Sequence, residues 1–366
     1  MSLQNAYTLL DELGLGQRDE SGHYADNVPL ADQQRQRAEV VEILNRLKQQ
    51  PGVILADEVG MGKTFIALAV ACCIAKQTNR GPVIVMTPSG LLDKWTGDLK
   101  TFCELYLRGQ SVVDKTNPAT TLEDLRRHRT LRFGTARNSV ELLKLMDDKT
   151  REQCHLVFMT QTAMSRQQSD KWVRLALIRE ALRRHGRGRA AKLIEVKKVI
   201  HRFMGDLLQA IGEQSAHNWG EELWQHLLQT EPGTWMATYN ANATKNHLND
   251  DPVPQAVVDT LANESFNLKP LAIVLEQMPL RDSSNRKSRI VDIRRELADI
   301  EKSLWKDILA QAKWRSPLLV IDEAHHLKNP SSGLAQQLQS QHDNERVLKT
   351  GHGAMANAFD RMLFLT

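Results

Sequence analysis

The sequence predicts an α/β fold: a parallel sheet with helices on both faces, interrupted by a large helical insertion. Three features point to it. Short apolar runs, such as Val53-Ile54-Leu55-Ala56 and Val83-Ile84-Val85-Met86, recur along the chain. Each run leads through a turn into apolar residues at helical spacing. About 150 residues, from Arg166 to Ser316, show helical periodicity with no strand pair. A run that is apolar at every position is a strand covered on both sides, which is the condition of a parallel sheet.

The elements follow in order. Residues 1–30 read as a polar, broken segment ending at Pro29. A helix over 32–49 carries Val40, Ile43, Leu44 and Leu47 on one face and stops at Pro51-Gly52. The first strand is Val53 to Ala56, and the helix after it runs from Phe65 to Ala75. The second strand closes at Thr87-Pro88, and Leu91, Leu92, Trp95 and Leu99 mark the next helix. Leu131-Arg132-Phe133, Leu156 to Met159, Leu318 to Ile321 and Met362 to Leu365 supply further strands. In the insertion, Leu193, Val196, Ile200, Phe203, Leu207 and Ile211 form one stripe. Ile290, Ile293, Leu297, Ile300, Leu304 and Ile308 form another. The stretch 230–288 reads as loops around short helices.

Composition bounds the function classes. The 366 residues are 41% hydrophobic and 25% charged, which excludes a disordered chain and a coiled-coil rod. No apolar run is long enough to span a membrane. The first twenty residues hold Asp11, Glu12, Asp19 and Glu20 and no signal-peptide core. Cys72, Cys73, Cys103 and Cys154 form no Cys-x-x-Cys pair and read as reduced core residues. The expected location is cytoplasmic.

Two sites carry chemistry. The first is Ala56-Asp57-Glu58-Val59-Gly60-Met61-Gly62-Lys63-Thr64, between a strand and a helix. Gly60 and Gly62 let backbone N–H groups approach a phosphate, and the helix N-terminus favours an anion. Lys63 is placed to reach the β- and γ-phosphates, and Thr64 to ligate Mg²⁺. Asp57 stands where the usual pattern has its first Gly. The second site is Asp322-Glu323-Ala324-His325, after the run Leu318 to Ile321. Acids ending a buried strand call for a cation. Asp322 is read as the Mg²⁺ holder and Glu323 as the group that activates water.

With these residues in view, "LADEVGMGKT" and "DEAHHLKNP" resemble motifs I and II of superfamily-two helicases, and most closely the Swi/Snf-like DNA translocases. "VIVMTPSGLLDKW" is similar to motif Ia and "LVFMTQTAMSR" to motif Ib. The resemblance covers residues 28–166 and 314–366 and implies a RecA-like P-loop sheet, with the insertion falling before motif II. It implies an adenine-contacting glutamine ahead of motif I: Gln36, with Gln34 as the alternative. It further implies nucleotide contacts along Asp57, Glu58, Val59, Gly60, Met61, Gly62, Lys63 and Thr64, and metal ligation by Thr64 and Asp322. Lys63, Glu323 and His325 take the catalytic roles, and Pro88 and Ser89 nucleic-acid contacts. The resulting domains are a polar segment over 1–30, the first part of an ATP-binding domain over 31–166, the insertion over 167–315 and the remainder over 316–366. "RMLFLT" resembles the strand entering motif III, and Thr366 is its last residue. The expectation is the ATP-binding half of a DNA-dependent ATPase that uses ATP and Mg²⁺. The partners expected are duplex DNA and a second RecA-like domain outside this chain, without which hydrolysis is poor. Half of a DEAH-type RNA helicase and a non-catalytic nucleotide-sensing module are the alternatives.

Net charge is +4, yet residues 171–203 alone hold eleven Lys/Arg against Glu180 and Glu195. Arg183, Arg184, Arg187 and Arg189 surround Gly186 and Gly188. They read either as a basic loop gripping nucleic-acid phosphates or as a face that is solvated or paired with acids such as Glu221, Glu222 or Glu296. Trp172, Trp219, Trp224 and Trp235 read as core or partner-surface anchors rather than base-stacking platforms.

Overall fold

The computed structural model describes residues 6–16, 28–56, 61–77, 80–107, 109–148, 151–164, 170–185, 191–208, 220–235, 252–282, 284–312, 314–329, 333–338, 355 and 357–366. In chain order the elements begin α1 (Ala6–Glu12), α2 (Leu30–Gln49), β1 (Gly52–Leu55), α3 (Lys63–Ala75), β2 (Val83–Thr87), α4 (Leu92–Tyr106), β3 (Ser111–Asp114) and α5 (Leu122–Arg126). Then come β4 (Thr130–Ala136), α6 (Ser139–Met146), β5 (Leu156–Thr160), α7 (Lys171–His185), α8 (Ala191–Val199), α9 (Met204–Leu208) and α10 (Glu221–Gln229). The chain continues through α11 (Gln255–Ala262), α12 (Lys269–Leu275), α13 (Arg286–Gln311), β6 (Leu319–Ile321), α14 (Gly333–Leu338) and β7 (Met362–Leu365). Two compact units result: Met1–Arg166 with Lys313–Thr366, and Gln167–Ala312.

The first unit holds a seven-stranded sheet in the order β1-β7-β6-β2-β5-β4-β3. Every pairing is parallel, which gives the expected α/β, RecA-like architecture. Register and alternation sort the side chains by face. Val53, Leu363, Val320, Val85 and Phe158 share one face and join a core with residues of α1 to α4. Ten consecutive residues of α3, Ile66 to Ala75, are buried, so this helix is enclosed on all sides. On the opposite face α6 lies close to β4. At Gly134 a Cβ would meet the Leu145 side chain and the Cys154 sulfur at 3.1–3.2 Å, so glycine permits that approach. All four cysteines are free and buried.

The start of the chain departs from the polar reading. Leu9, Leu10, Leu13 and Leu15 are buried in the main core. Arg37 on α2 donates to the Leu10 carbonyl at 2.7 Å and pairs with Asp11, which fastens α1 to α2. The short β3, α5 and α6 are additional to the expected elements. The stripe beginning at Leu193 is not one helix: α8 gives way to a 3₁₀ turn over Ile200–Phe203 before α9. The β-branched Val199-Ile200 pair falls at the break, and Gly205 weakens the turn after it. Ile211 lies outside the described residues.

Among its described residues the second unit has helices and no strand. Its central element is α7, on which Trp172 to Ile178 and Glu180 to Leu182 are buried. Trp172 packs against Trp235 with ring centroids 5.9 Å apart, and Trp224 is buried too. These three tryptophans are core residues, while Trp219 lies outside the described residues. Arg174 on α7 meets Glu301 on α13 at 2.8 Å in the interior. Burial pushes the Glu301 carboxyl up, and Arg174 opposes that shift.

Candidate functional site

A parallel sheet gathers the ends of its strands along one edge, and ligands of such sheets bind at the carboxyl edge. Here β7 alone separates β1 from β6. The carboxyl end of β1 and the acids after β6 are therefore about two strand spacings apart, roughly 10 Å. One edge thus holds the described residues of both stretches singled out in the sequence.

Asp57, Glu58, Val59 and Gly60 lie outside the described residues. Met61, Gly62, Lys63 and Thr64 are described. Gly62 caps α3 with φ +84°, a left-handed conformation natural to glycine. Lys63 Nζ donates to the Thr366 carbonyl at 2.8 Å, at the end of β7. Thr64 is half-buried in the first turn of α3. Met61 is exposed, and its carbonyl accepts from Arg35 at 2.8 Å.

Gln36 projects from α2 against Gly62, so close that a Cβ on Gly62 would overlap its amide nitrogen. Gln36 is 6% exposed. Its Oε1 is buried without a hydrogen-bond partner in the protein. An orphaned buried acceptor is costly unless a donor arrives. Gln34 is exposed, so of the two candidate glutamines only Gln36 faces the loop. The neighbouring Gln33 serves the fold, donating to the Val28 carbonyl at 2.9 Å.

The second stretch is held by three elements. The Asp322 N–H donates to the Met86 carbonyl of β2 at 2.9 Å. Its own carbonyl accepts from Gln161 Nε2 at 2.6 Å. Asp322 Oδ1 accepts from the Glu323 N–H at 3.0 Å, and Oδ2 accepts from Trp95 Nε1 at 2.9 Å. Hydrogen bonds to a charged partner are worth about 1.5–3 kcal/mol. Glu323 adopts φ +51°, a strained value for a residue with a side chain. Its carboxylate meets His325 Nδ1 at 3.1 Å, and the His325 and His326 ring centroids lie 4.2 Å apart with the planes tilted by 39°. Pro88 precedes a 3₁₀ turn over Ser89–Leu91 that leads into α4, and Ser89 is exposed. Sequence reasoning did not place Trp95 or Gln161 in this site. Each lies more than 160 residues from Asp322, and no local spacing announces either contact.

Residues 35–180 match the family described as SNF2-related domain. That match, to 146 of the 366 residues, supports the Swi/Snf-like superfamily-two reading. Among similar proteins, the chromatin-remodeling ATPase INO80 of Arabidopsis thaliana is 37% identical over 62 residues, 17% of this chain and 4% of the relative. The ATP-dependent helicase fft2 of Schizosaccharomyces pombe is 39% identical over 56 residues, 15% of this chain and 4% of the relative. A SWI/SNF-related regulator of chromatin from Mus musculus, subfamily A containing DEAD/H box 1, is 36% identical over 50 residues, 14% of this chain and 5% of the relative. The matched segments thus span 4–5% of these relatives' length. No solved structure matches the chain.

The match to the SNF2-related domain ends on α7, where the basic block begins. Arg183 pairs with Glu180 at 2.7 Å through one nitrogen and 2.9 Å through another. Arg184 Nε also reaches Glu180 at 2.7 Å. Its remaining nitrogens donate to the carbonyls of Leu261, Asn263, Glu264 and Phe266. A guanidinium has five N–H donors, and Arg184 has five acceptors inside the second unit. The acid that meets these arginines is Glu180 on their own helix, rather than Glu221, Glu222 or Glu296. Burial pushes the Glu180 carboxyl up, but Arg183 and Arg184 outweigh it and hold the group below its ordinary range. Arg187 and Arg189 lie outside the described residues.

Proposed function

We propose that this chain is the ATP-binding part of a Swi/Snf-like, DNA-dependent ATPase. The observation carrying the proposal is the shared carboxyl edge, where the Gly62–Thr64 turn after β1 and Asp322–Glu323 after β6 flank β7. The residues fit the groups required. The unpartnered Gln36 Oε1 suits an exocyclic amine such as that of adenine. Lys63, now on a backbone carbonyl, can exchange that partner for phosphate oxygens. Thr64 and Asp322 supply the hard oxygen donors that Mg²⁺ takes. When bound, Mg²⁺ neutralises charge that develops on the phosphates.

The chain's own residues divide the remaining work. Gln36 orients the base, and the helix N-terminus at Gly62 faces the phosphates with Lys63. Glu323 accepts the proton of the attacking water, and His325 fixes its carboxylate at 3.1 Å. The exposed Ser89, with Pro88, is positioned at the same edge for a nucleic-acid backbone. Efficient hydrolysis requires a second RecA-like domain contributing an arginine, a contribution worth about 10³–10⁵ in rate.

The test begins with the full chain and a fluorescent ATP analogue, titrated with and without Mg²⁺. Wild-type protein is expected to bind more tightly with Mg²⁺, and Lys63→Ala to lose at least about tenfold in affinity. ATPase assays with duplex DNA, single-stranded DNA and RNA follow, with and without a supplied second domain. Stimulation by duplex DNA only with that domain supports the reading. Absence of nucleotide binding by folded wild-type protein overturns it.

A further inference from the structure

We infer that Trp95 is a positioning residue that sets the Asp322 carboxylate for a divalent cation. The inference rests on the nucleotide-site reading above and adds a role for a side chain distant in sequence from either stretch. Carboxylates at strand ends ordinarily rotate about their side-chain bonds. Asp322 has a donor on each oxygen: its neighbour's N–H at 3.0 Å on Oδ1 and the indole N–H at 2.9 Å on Oδ2. The first of these is local and follows the chain. The second comes from α4, and it fixes the plane of the carboxylate.

Two properties make Trp95 suited to this. Trp95 is only 2% exposed, within the core of α1 to α4, so the donor cannot swing away. The indole N–H is a donor only, with no lone pair in the ring plane to offer a metal or a proton. It therefore pairs with an acceptor oxygen and leaves the other lone pairs of Asp322 for a cation. The Asp322 N–H donating to the Met86 carbonyl and the Gln161 side-chain amide donating to the Asp322 carbonyl hold the main chain while Trp95 holds the side chain. Partners of this kind outside the ligand set typically change metal affinity about 10–100-fold when removed.

The experiment uses the full chain and three replacements at position 95. Trp95→Phe removes the N–H and part of the ring. The benzothienyl analogue of tryptophan keeps the ring's size but carries sulfur in place of N–H. A ring-fluorinated tryptophan keeps the N–H. Each is titrated with the fluorescent ATP analogue at fixed Mg²⁺ concentrations and without Mg²⁺. Mn²⁺ uptake in the presence of ATP is followed by the electron-spin-resonance signal of free Mn²⁺. The first two replacements are expected to need about 10–100-fold more Mg²⁺ or Mn²⁺, while metal-free affinity stays within about twofold of wild type. The fluorinated variant is expected to match wild type.

An unchanged Mg²⁺ requirement in the benzothienyl variant overturns the inference, whatever Trp95→Phe does to folding. Equal losses with and without metal also overturn it, because they show a packing role alone. Tighter metal binding overturns it in the other direction, making the bond a latch that competes with the cation. Failure of wild-type protein to bind the analogue at all is a different result, and it removes the nucleotide reading itself.

Discussion

Gln36 and Gly62 touch across the gap between α2 and the turn that opens α3, and the contact leaves no space for a Cβ on Gly62. The two residues are 26 positions apart, so the glycine is required twice: for its left-handed backbone and for the glutamine against it. Gly62→Ala is expected to strain the turn by about 1–2 kcal/mol and to displace Gln36. Binding of the fluorescent ATP analogue should fall at least about tenfold, with the far-ultraviolet circular dichroism spectrum retained. Unchanged affinity would show that neither the φ of Gly62 nor the seat of Gln36 matters to the ligand.

Glu323→Gln keeps the size of the side chain and removes its capacity to take a proton. Hydrolysis in the presence of a supplied second domain and duplex DNA is expected to fall about 10²–10⁴-fold, with analogue affinity nearly unchanged. Isotope-labelled phosphate release measures the first quantity and titration the second. Wild-type turnover would move the proton-accepting role to another group.

How much of the fold and of the site is legible in the sequence depends on distance along the chain. The strands in the middle of the sheet read as unbroken apolar runs because both their faces are covered. Edge strand β3, Ser111–Asp114, has no fully buried residue, so it left no such run. Helix α6 did carry a signal: the Asn138 side chain accepts from the Glu141 N–H, the start pattern of a capped helix. Lys63, Asp322 and Glu323 stood out because their chemistry is local. The Trp95–Asp322 bond spans 227 positions, and Arg184 finds its carbonyls about 80 residues away, so only folding brings those partners together. The leucines of 9–15 were hidden by the polar residues between them.

His155 gives the first unit a defined pH response. Its Nδ1 accepts the Arg132 N–H at 3.0 Å, which requires the neutral ring. Burial, then Arg132 and Lys76, push its pKa from 6.5 down to about 3. Between those values the unfolded chain binds a proton that the folded chain refuses. Stability is fully present above pH 6.5 and declines as pH falls towards 3, by about 1.4 kcal/mol per pH unit from this group. His155→Asn keeps an acceptor and cannot titrate, so its urea midpoint should fall less steeply from pH 6 to 4. Parallel curves for the two proteins would show that His155 does not control this range.

The arginines of α7 separate into unequal partners, and the difference can be measured. Arg183 has a side chain 35% exposed and one acid to satisfy it. Arg184 is 11% exposed, and its five donors meet Glu180 and four carbonyls of the segment from Leu261 to Phe266. Removing Arg183 takes away the most exposed of the three arginines and leaves Glu180 with Arg184 and Arg179, so the loss is small, about 1 kcal/mol. Removing Arg184 uncovers four carbonyls together and weakens the neutralisation of a buried carboxylate, a loss of about 3–5 kcal/mol. Lysine cannot replace it, because three donors around a point charge cannot meet five acceptors set around a planar fork. Urea unfolding of the full chain followed by tryptophan fluorescence is expected to show Arg183→Ser within about 1 kcal/mol of wild type and both Arg184→Ser and Arg184→Lys far below it. The salt dependence of duplex-DNA binding supplies the second measurement. A phosphate-gripping arginine lowers the log–log slope by about 0.9 when removed. Arg184 has no donor left for a phosphate, so Arg184→Ser, which removes the charge, is expected to leave that slope unchanged at temperatures where it remains folded. A stable Arg184→Ser protein with a reduced slope would assign this side chain to DNA instead of to the interior of its own unit.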